Sequence, residues 1–191
     1  EEDKINNIEQ APLASRISDW KLECQKNNGE ACGNLGAVYV QGQGVSQSFE
    51  KAFVFYEKAC RFGQAFRCLR AGSFAVNGKG IEESLEKALN LFAMGCRLME
   101  SESCASYYLL THGFKFSMEG GLQLVNTPPA ADISIYKIVF NVFTEACAAG
   151  QARICGNLAF LYEDGDATEK DYSKALKFFE RACDLGDGDR C

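Results

Sequence analysis

The sequence has little of what enzymes and nucleic-acid-binding proteins commonly use. Its 191 residues contain one histidine, one tryptophan and three prolines, and 20 basic residues face 26 acidic ones. The net charge of −6 argues against nucleic acid or an anionic membrane surface as the main partner, because both repel an acidic protein. The apolar runs are too short to cross a bilayer, so we expect no membrane span.

The start of the chain also lacks recognisable features. It begins at Glu1 rather than at methionine, and no apolar export segment follows. We interpret this as a mature or trimmed chain without its targeting peptide. Residues 1–12 are polar and show no clear period, so we predict a polar lead-in there.

Cysteine, in contrast, is abundant and regularly spaced. All ten cysteines fall into pairs eight residues apart: Cys24/Cys32, Cys60/Cys68, Cys96/Cys104, Cys147/Cys155 and Cys183/Cys191. Paired cysteines without an orphan are typical of disulfides formed in an oxidising compartment. Zinc sites favour about two to four residues between paired ligands, and His112 is the only histidine. We therefore predict five disulfides, no metal site and no cofactor.

One stretch of the chain recurs at a fixed period. Residues 29–63 match the sequence 36 residues further on. Gly42-Gln43-Gly44 corresponds to Gly78-Lys79-Gly80, and Lys51-Ala52 corresponds to Lys87-Ala88. A period of this length indicates a solenoid of helical repeats.

Each repeat is predicted to contain two helices. First helices are expected at 30–41, 66–77, 102–113 and 153–164, and second helices at 48–61, 84–97, 131–148 and 171–184. Gly42 and Gly44 are expected to end a first helix, because glycine adopts the left-handed conformation at little cost. Ser48, Ser84 and Asp171 occupy equivalent positions (one column) when the repeats are aligned, and they are expected to cap the second helices. Each disulfide then joins successive repeats across a tight turn.

We predict a single solenoid over residues 13–191. Its parts are a capping half-repeat at 13–28, repeats at about 29–64, 65–100, 101–150 and 151–186, and the truncated start of a further repeat at 187–191. The third repeat has fifteen extra residues between its cysteines. The insert, 117–130, predicts a long loop flanked by two lengthened helices. It is either a binding element or a drifted loop, and the sequence leaves both open.

The repeated columns resemble a known family. The motif L-G-x-x-Y-x-x-G-x-G-V, followed by K-A-x-x-x-Y-x-x-A, is similar to the Sel1-like repeat, a relative of the tetratricopeptide repeat. In this chain the motif consists of Leu35-Gly36, Tyr39, Gly42, Gly44-Val45, Lys51-Ala52, Tyr56 and Ala59. The cysteine pairs resemble those of the disulfide-bridged Helicobacter cysteine-rich protein branch. The resemblance implies an all-α fold, a right-handed α/α superhelix (solenoid) of Sel1-like repeats stapled by disulfides.

The resemblance also implies where a partner binds. First helices line the concave side of tetratricopeptide-like arrays, and Asn34 and Asn157 resemble the asparagines that hold a ligand's backbone there. We expect a stripe on these helices to lie away from the core; it comprises Asn34, Val38, Gln41, Arg70, Phe74, Asn77, Ser106, Leu110, Asn157, Leu161 and Asp164. We predict a secreted or periplasmic scaffold that binds a protein or peptide on this stripe or on the insert. A cell-wall-related ligand is kept as a further partner class.

Two alternatives follow from the same resemblance. Members of the cysteine-rich branch are described as penicillin-binding proteins or weak β-lactamases, and Ser48–Lys51 and Ser84–Lys87 match the S-x-x-K motif of such enzymes. The K-T-G and S-D-N motifs are absent from the sequence, and helix capping explains the serine column, so no catalytic residue is predicted. A mitochondrial intermembrane-space group that assists respiratory-complex assembly is the second alternative. We interpret His112 as a helix-end residue rather than a haem or metal ligand.

Overall fold

The structure is a computed structural model that describes residues 13–116, 122–126 and 129–191. The described residues form nine α-helices, a two-stranded hairpin and a 3-10 helix. The elements are α1 (Leu13–Gln25), α2 (Gly29–Gln41), α3 (Phe49–Arg61), α4 (Ala65–Val76), α5 (Leu85–Arg97), α6 (Ser101–Thr111), β1 (Phe114–Phe116), β2 (Leu122–Leu124), α7 (Ile133–Ala148), α8 (Ala152–Asp164), α9 (Tyr172–Asp184) and the 3-10 helix Gly188–Arg190. The predicted lead-in, 1–12, lies outside the described residues.

The predicted helix pairs are confirmed, and each helix begins and ends within two residues of its predicted position. The N-caps of the second helices lie at the positions predicted from the aligned repeats. The Ser48 hydroxyl accepts a hydrogen bond from the Lys51 amide, and the Asp171 carboxylate accepts one from the Lys174 amide. Gly42, with φ of 68°, ends α2 in the left-handed conformation that favours glycine.

The described residues up to Leu91 and those from Phe92 onward form two compact units, and the division falls inside α5. In the first unit, Ile17 of α1, Leu35 and Val38 of α2 and Ala59 of α3 share one buried cluster. Gly36 sets the spacing of α2 and α3, because a Cβ at this position would lie 2.4 Å from the Tyr56 ring.

The core of the second unit is rich in aromatic side chains. Tyr107 and Phe143 are its largest fully buried residues. The Tyr107 hydroxyl accepts a hydrogen bond from the Asp132 amide at 2.7 Å, which ties α6 to the beginning of α7. The ring of Tyr108 meets those of Tyr136 and Phe143 edge to face, a favourable arrangement of aromatic quadrupoles.

All five predicted disulfides are confirmed, and no cysteine is free; the bonds are Cys24–Cys32, Cys60–Cys68, Cys96–Cys104, Cys147–Cys155 and Cys183–Cys191. Their Cα–Cα distances run from 4.5 to 5.1 Å, within the usual range for such bonds. Four of them join the end of one helix to the beginning of the next, and the fifth joins α9 to Cys191. The third residue after the first cysteine of each pair has a positive φ; these residues are Asn27, Gly63, Met99, Gly150 and Gly186.

The first four disulfides are buried at the junctions between successive repeats. Cys32, Cys104 and Cys155 are 0% exposed and lie near the beginning of α2, α6 and α8, as predicted. The reason is that each is the fourth residue of its helix, where the side chain points back into the packed interior. These cysteines are therefore structural residues that a partner cannot reach.

The insert of the third repeat differs from its prediction. Strands β1 and β2 pair antiparallel, with Phe114 opposite Leu124, where a loop was expected. The alternation of apolar and polar residues in both segments is typical of a strand, and this period was missed. Helix α7 is lengthened to 16 residues as predicted, but α6 ends after 11. Residues 117–121 and 127–128 of the insert lie outside the described residues.

Among the described residues, no helix combines the length and the apolar character needed to cross a bilayer.

Candidate interaction surface

A cluster of one aromatic and two basic side chains lies on α4 of the first unit, with Phe66 and Arg70 exposed and Arg67 partly buried. The Phe66 ring is 48% exposed, a high fraction for a large apolar residue. The guanidinium of Arg70 lies 4.8 Å from the Phe66 ring centroid, and that of Arg67 lies 5.8 Å from it. Both distances fall within the range of cation–π attraction. We call Phe66, Arg67 and Arg70 the Arg–Phe–Arg cluster.

Packing against α2 and α3 holds the Arg67 side chain of this cluster in place. The Arg67 side chain crosses α2 at Gly33, where a Cβ would lie 2.6 Å from Nε of Arg67. The Arg67 guanidinium also lies 5.3 Å from the centroid of the Tyr56 ring. Burial raises the pKa of the Tyr56 hydroxyl, against the opposing effect of the Arg67 and Arg70 charges. The ring therefore stays neutral beneath the arginine.

Within the described part of the chain, the two guanidinium groups have no anionic partner of their own. Neither Arg67 nor Arg70 forms an ion pair with a carboxylate of the described residues. Arginine presents several donors in a planar fork that matches the geometry of a carboxylate. The cluster is therefore suited to bind an acidic group beside an apolar one.

The predicted stripe is only partly accessible. Its members Val38, Phe74, Leu110, Asn157 and Leu161 are buried, with exposed fractions of 5% or less. The expectation that they lie away from the core is wrong. The reason is that first helices pack against neighbours on more than one side. Phe74, for example, meets the rings of Phe49 and Tyr56 edge to face.

The other stripe members keep solvent access; they are Asn34, Gln41, Arg70, Asn77, Ser106 and Asp164. In the first unit, Asn34 follows Gly33, the residue that Arg67 crosses. In the second unit, the Asp164 carboxylate accepts a hydrogen bond from the Tyr108 hydroxyl at 2.7 Å, so it already has an internal partner. Partner binding by the accessible members stays a prediction.

Phe66 and Arg67 were not among the predicted binding residues. Both lie at the beginning of the predicted first helix 66–77, but neither belongs to the predicted stripe. A signal was present, because Arg70 follows Phe66 by four residues and Arg67 by three on a predicted helix, and side chains at these spacings are neighbours.

The S-x-x-K matches serve structural purposes. The Ser48 and Ser84 hydroxyls accept hydrogen bonds from the amides of Lys51 and Lys87 at 3.2 and 3.3 Å. The capping interpretation of this column is therefore confirmed. The Lys51 ammonium lies over the Tyr39 ring, 5.4 Å from its centroid, and so is engaged away from the serine.

His112 is a helix-end residue, as predicted, and occupies the C-cap of α6. Its Nδ1 lies 2.8 Å from the carbonyl oxygen of Tyr108, and its Nε2 lies 2.9 Å from Oδ2 of Asp166. The end of α6 is thereby linked to the loop that follows α8.

The paired helices, together with the regularly spaced disulfides that join them, define a helical-repeat protein of the solenoid class. The Sel1 repeat model matches residues 29–61, 68–98 and 152–187, together more than half of the chain, and the chain therefore belongs to the Sel1 repeat family. Such repeats typically act as protein–protein interaction scaffolds. The predicted fold class, an all-α solenoid of disulfide-stapled Sel1-like repeats, is confirmed.

Solved structures show the same fold. A Sel1 repeat protein from Oxalobacter formigenes is 20% identical with a TM-score of 0.67, over 93% of this chain and 67% of that one. A protective antigen of uropathogenic Escherichia coli with an SLR fold is 18% identical with a TM-score of 0.70, over 94% of this chain and 35% of that one. Cysteine rich protein B of Helicobacter pylori is 21% identical over 92% of this chain and 94% of that one, but its TM-score of 0.34 is too low to add to the fold assignment. No curated protein matches the chain by sequence.

Proposed function

We propose that this chain is an exported interaction scaffold that binds an extended acidic segment of a partner protein on the first unit. The binding surface consists of the Arg–Phe–Arg cluster together with Asn34. One observation carries the proposal: two arginines are held on an exposed ring and have no carboxylate partner among the described residues. An acidic side chain would pair with a guanidinium while a neighbouring apolar group covers Phe66.

The disulfides support an oxidising location. All ten cysteines are paired, and such bonds are rare in the reducing cytosol. We propose secretion or the periplasm as the site of function. The mitochondrial intermembrane space is the alternative that the same chemistry permits.

The hairpin of the third repeat is a second contact region for the same function. Leu124 on β2 is 77% exposed, the largest exposed fraction among the large apolar residues described. An apolar side chain at a strand end offers a partner a small anchoring contact. This supports the interpretation of the insert as a binding element rather than as a drifted loop.

The proposal is tested by selecting binders from a random peptide library on the oxidised full chain. We expect the retained peptides to be enriched in aspartate and glutamate, with at least one apolar residue close by. Fluorescence anisotropy then measures their affinity for the wild type and for Arg70→Glu and Phe66→Ala. Arg70→Glu should weaken binding at least about tenfold, because a hydrogen bond to a charged group contributes about 1.5–3 kcal/mol.

Lys21→Glu is the matched control. It makes the same change of net charge at an exposed position of α1, outside the cluster. Equal losses in Arg70→Glu and Lys21→Glu would show a general charge effect and contradict the proposed surface. A library that yields no acidic enrichment would contradict the proposed partner chemistry.

A further inference from the structure

Three metal-ligating side chains converge in the second unit, apart from the proposed peptide-binding surface. His112 comes from the end of α6, Asp164 from the end of α8, and Asp166 from the loop that follows. One ligand atom from each side chain lies within 4.8 Å of the others. The side chains of His112 and Asp166 are 30% and 27% exposed, so solvent reaches the cluster.

The hydrogen bond of His112 fixes which ring nitrogen faces the carboxylates. Nδ1 lies 2.8 Å from the Tyr108 carbonyl oxygen. A carbonyl oxygen only accepts, so Nδ1 carries the hydrogen and donates it. In the neutral ring, Nε2 then holds a lone pair.

That lone pair faces a second acceptor. Nε2 lies 2.9 Å from Oδ2 of Asp166, and a carboxylate oxygen likewise only accepts. Two acceptors at this distance repel each other unless a cation lies between them, either a proton or a metal ion. The tautomer therefore gives a reason for a cation that is independent of the number of acidic groups.

The surroundings match the outer shell of metal sites. A metal-ligating histidine usually donates its other N–H to a carbonyl or carboxylate, as Nδ1 does here. Asp164 accepts a hydrogen bond from the buried hydroxyl of Tyr108 at 2.7 Å, which orients its carboxylate. Ligands bound to one zinc ion at about 2.1 Å lie about 3.0–3.4 Å apart; the Nε2–Oδ2 distance of 2.9 Å is close to this range, and the wider spacing of up to 4.8 Å within the cluster has to close when the ion binds.

We propose that His112, Asp164 and Asp166 bind a divalent transition-metal ion of the zinc type. One imidazole nitrogen and two carboxylates form a ligand set that suits zinc better than calcium or magnesium, which prefer oxygen alone. Water completes the coordination. The ion links the third repeat to the fourth through side chains rather than through a disulfide.

The test uses the oxidised full chain, washed with EDTA and then titrated with zinc chloride in a calorimeter. We expect about one zinc ion per chain and a rise in the melting temperature on binding. His112→Gln and Asp166→Asn should each weaken zinc binding at least about tenfold. Glu169→Gln, an exposed carboxylate of the same loop, is the matched control and should bind as the wild type does.

Cobalt(II) supplies a second measurement. Its visible absorption should change on binding to the wild type and should not change with His112→Gln. Circular dichroism checks that each variant is folded, and if His112→Gln is not, Asp166→Asn carries the comparison. Equal zinc affinity in the wild type and Asp166→Asn, or no zinc binding by the wild type, would overturn the proposal and leave a proton as the cation between the two acceptors.

Discussion

The ammonium group of Lys51 lies over the ring of Tyr39, 5.4 Å from the ring centroid. Lys174 has the same relation to Tyr162 in the last repeat, at 5.3 Å. Each tyrosine also stacks on a phenylalanine of the second helix with a centroid distance of 5.6 Å. Two repeats thus use their lysine to pack one helix against the other, so the lysine of the S-x-x-K motif has a structural function.

Replacement of Ser48 by alanine tests that interpretation. Loss of the cap should lower the free energy of unfolding by about 1 kcal/mol, because the Lys51 amide loses its acceptor. Ser48→Asp should keep most of the stability. Urea unfolding measures both. Nitrocefin hydrolysis that is present in the wild type and lost in folded Ser48→Ala would contradict the structural interpretation.

Asp171 should make the cap of α9 depend on pH. A hydrogen bond from the Lys174 amide, together with the nearby lysine side chain, holds the pKa of Asp171 below its ordinary value of 3.8. A group with a lowered folded-state pKa stabilises the fold above its unfolded pKa, and this stabilisation is lost as the pH falls through the folded-state pKa. Asp171→Ser supplies the serine cap of the other repeats, which does not titrate.

The stability of the wild type relative to Asp171→Ser should therefore decrease as the pH is lowered from neutral to below 3.8. Thermal unfolding of both proteins at each pH measures the difference, and groups common to both cancel. A difference that stays constant over this range would show that the carboxylate charge does not contribute to the cap.

Met99 occupies a position that favours glycine. Its φ is 62°, and the equivalent turn residues are glycine at three of the other four positions and asparagine at the fourth. A left-handed conformation costs an ordinary residue about 1–2 kcal/mol, which exceeds the entropic cost of glycine. Met99 is 52% exposed, so its removal loses little packing. Met99→Gly should raise the free energy of unfolding by about 0.5–1 kcal/mol.

The neighbouring residue provides the control for this effect. Leu98 is 42% exposed but does not have a positive φ. Leu98→Gly should therefore fail to stabilise the protein. An equal or larger gain from Leu98→Gly in chemical denaturation would show that the backbone conformation of Met99 is not strained.

Removal of one disulfide should destabilise the chain without changing its helices. Cys60→Ser with Cys68→Ser opens a loop of eight residue steps, and the chain-entropy relation predicts a loss of about 2–3 kcal/mol. Circular dichroism should show unchanged helix content at neutral pH, and urea unfolding should show the lower stability. Equal stability of the double variant and the oxidised wild type would contradict the stabilising function of the bond.

Most of the fold is predictable from the sequence because the repeats supply independent copies of each signal. Ser48, Ser84 and Asp171 mark the same helix start three times, and the cysteine spacing marks each inter-repeat turn. The hairpin occurs once and lies in the repeat where these columns are lost. The short alternation of apolar and polar residues around Lys115 and Gln123 is not repeated elsewhere in the chain, so no other repeat supports it.

The accessible surface was harder to predict than the helices. A helical stripe indicates which residues share a side, but not how many neighbouring helices cover that side. Phe74 and Leu161 share a stripe with Asn34 and are nevertheless buried. The Arg–Phe–Arg cluster depends on a side chain crossing Gly33 from another repeat, and the contact of His112 with Asp166 spans 54 residues of sequence. No local pattern encodes either contact.

The disulfides also determine how the chain responds to tension. Each of the first four bonds bypasses eight residue steps at a turn between successive repeats, so a pulling force passes through the sulfur atoms instead of the turn. This withholds about 2 nm of contour length at every turn. Under load the oxidised chain lengthens only within its helix pairs, and the turns between them keep their span until a reductant is present.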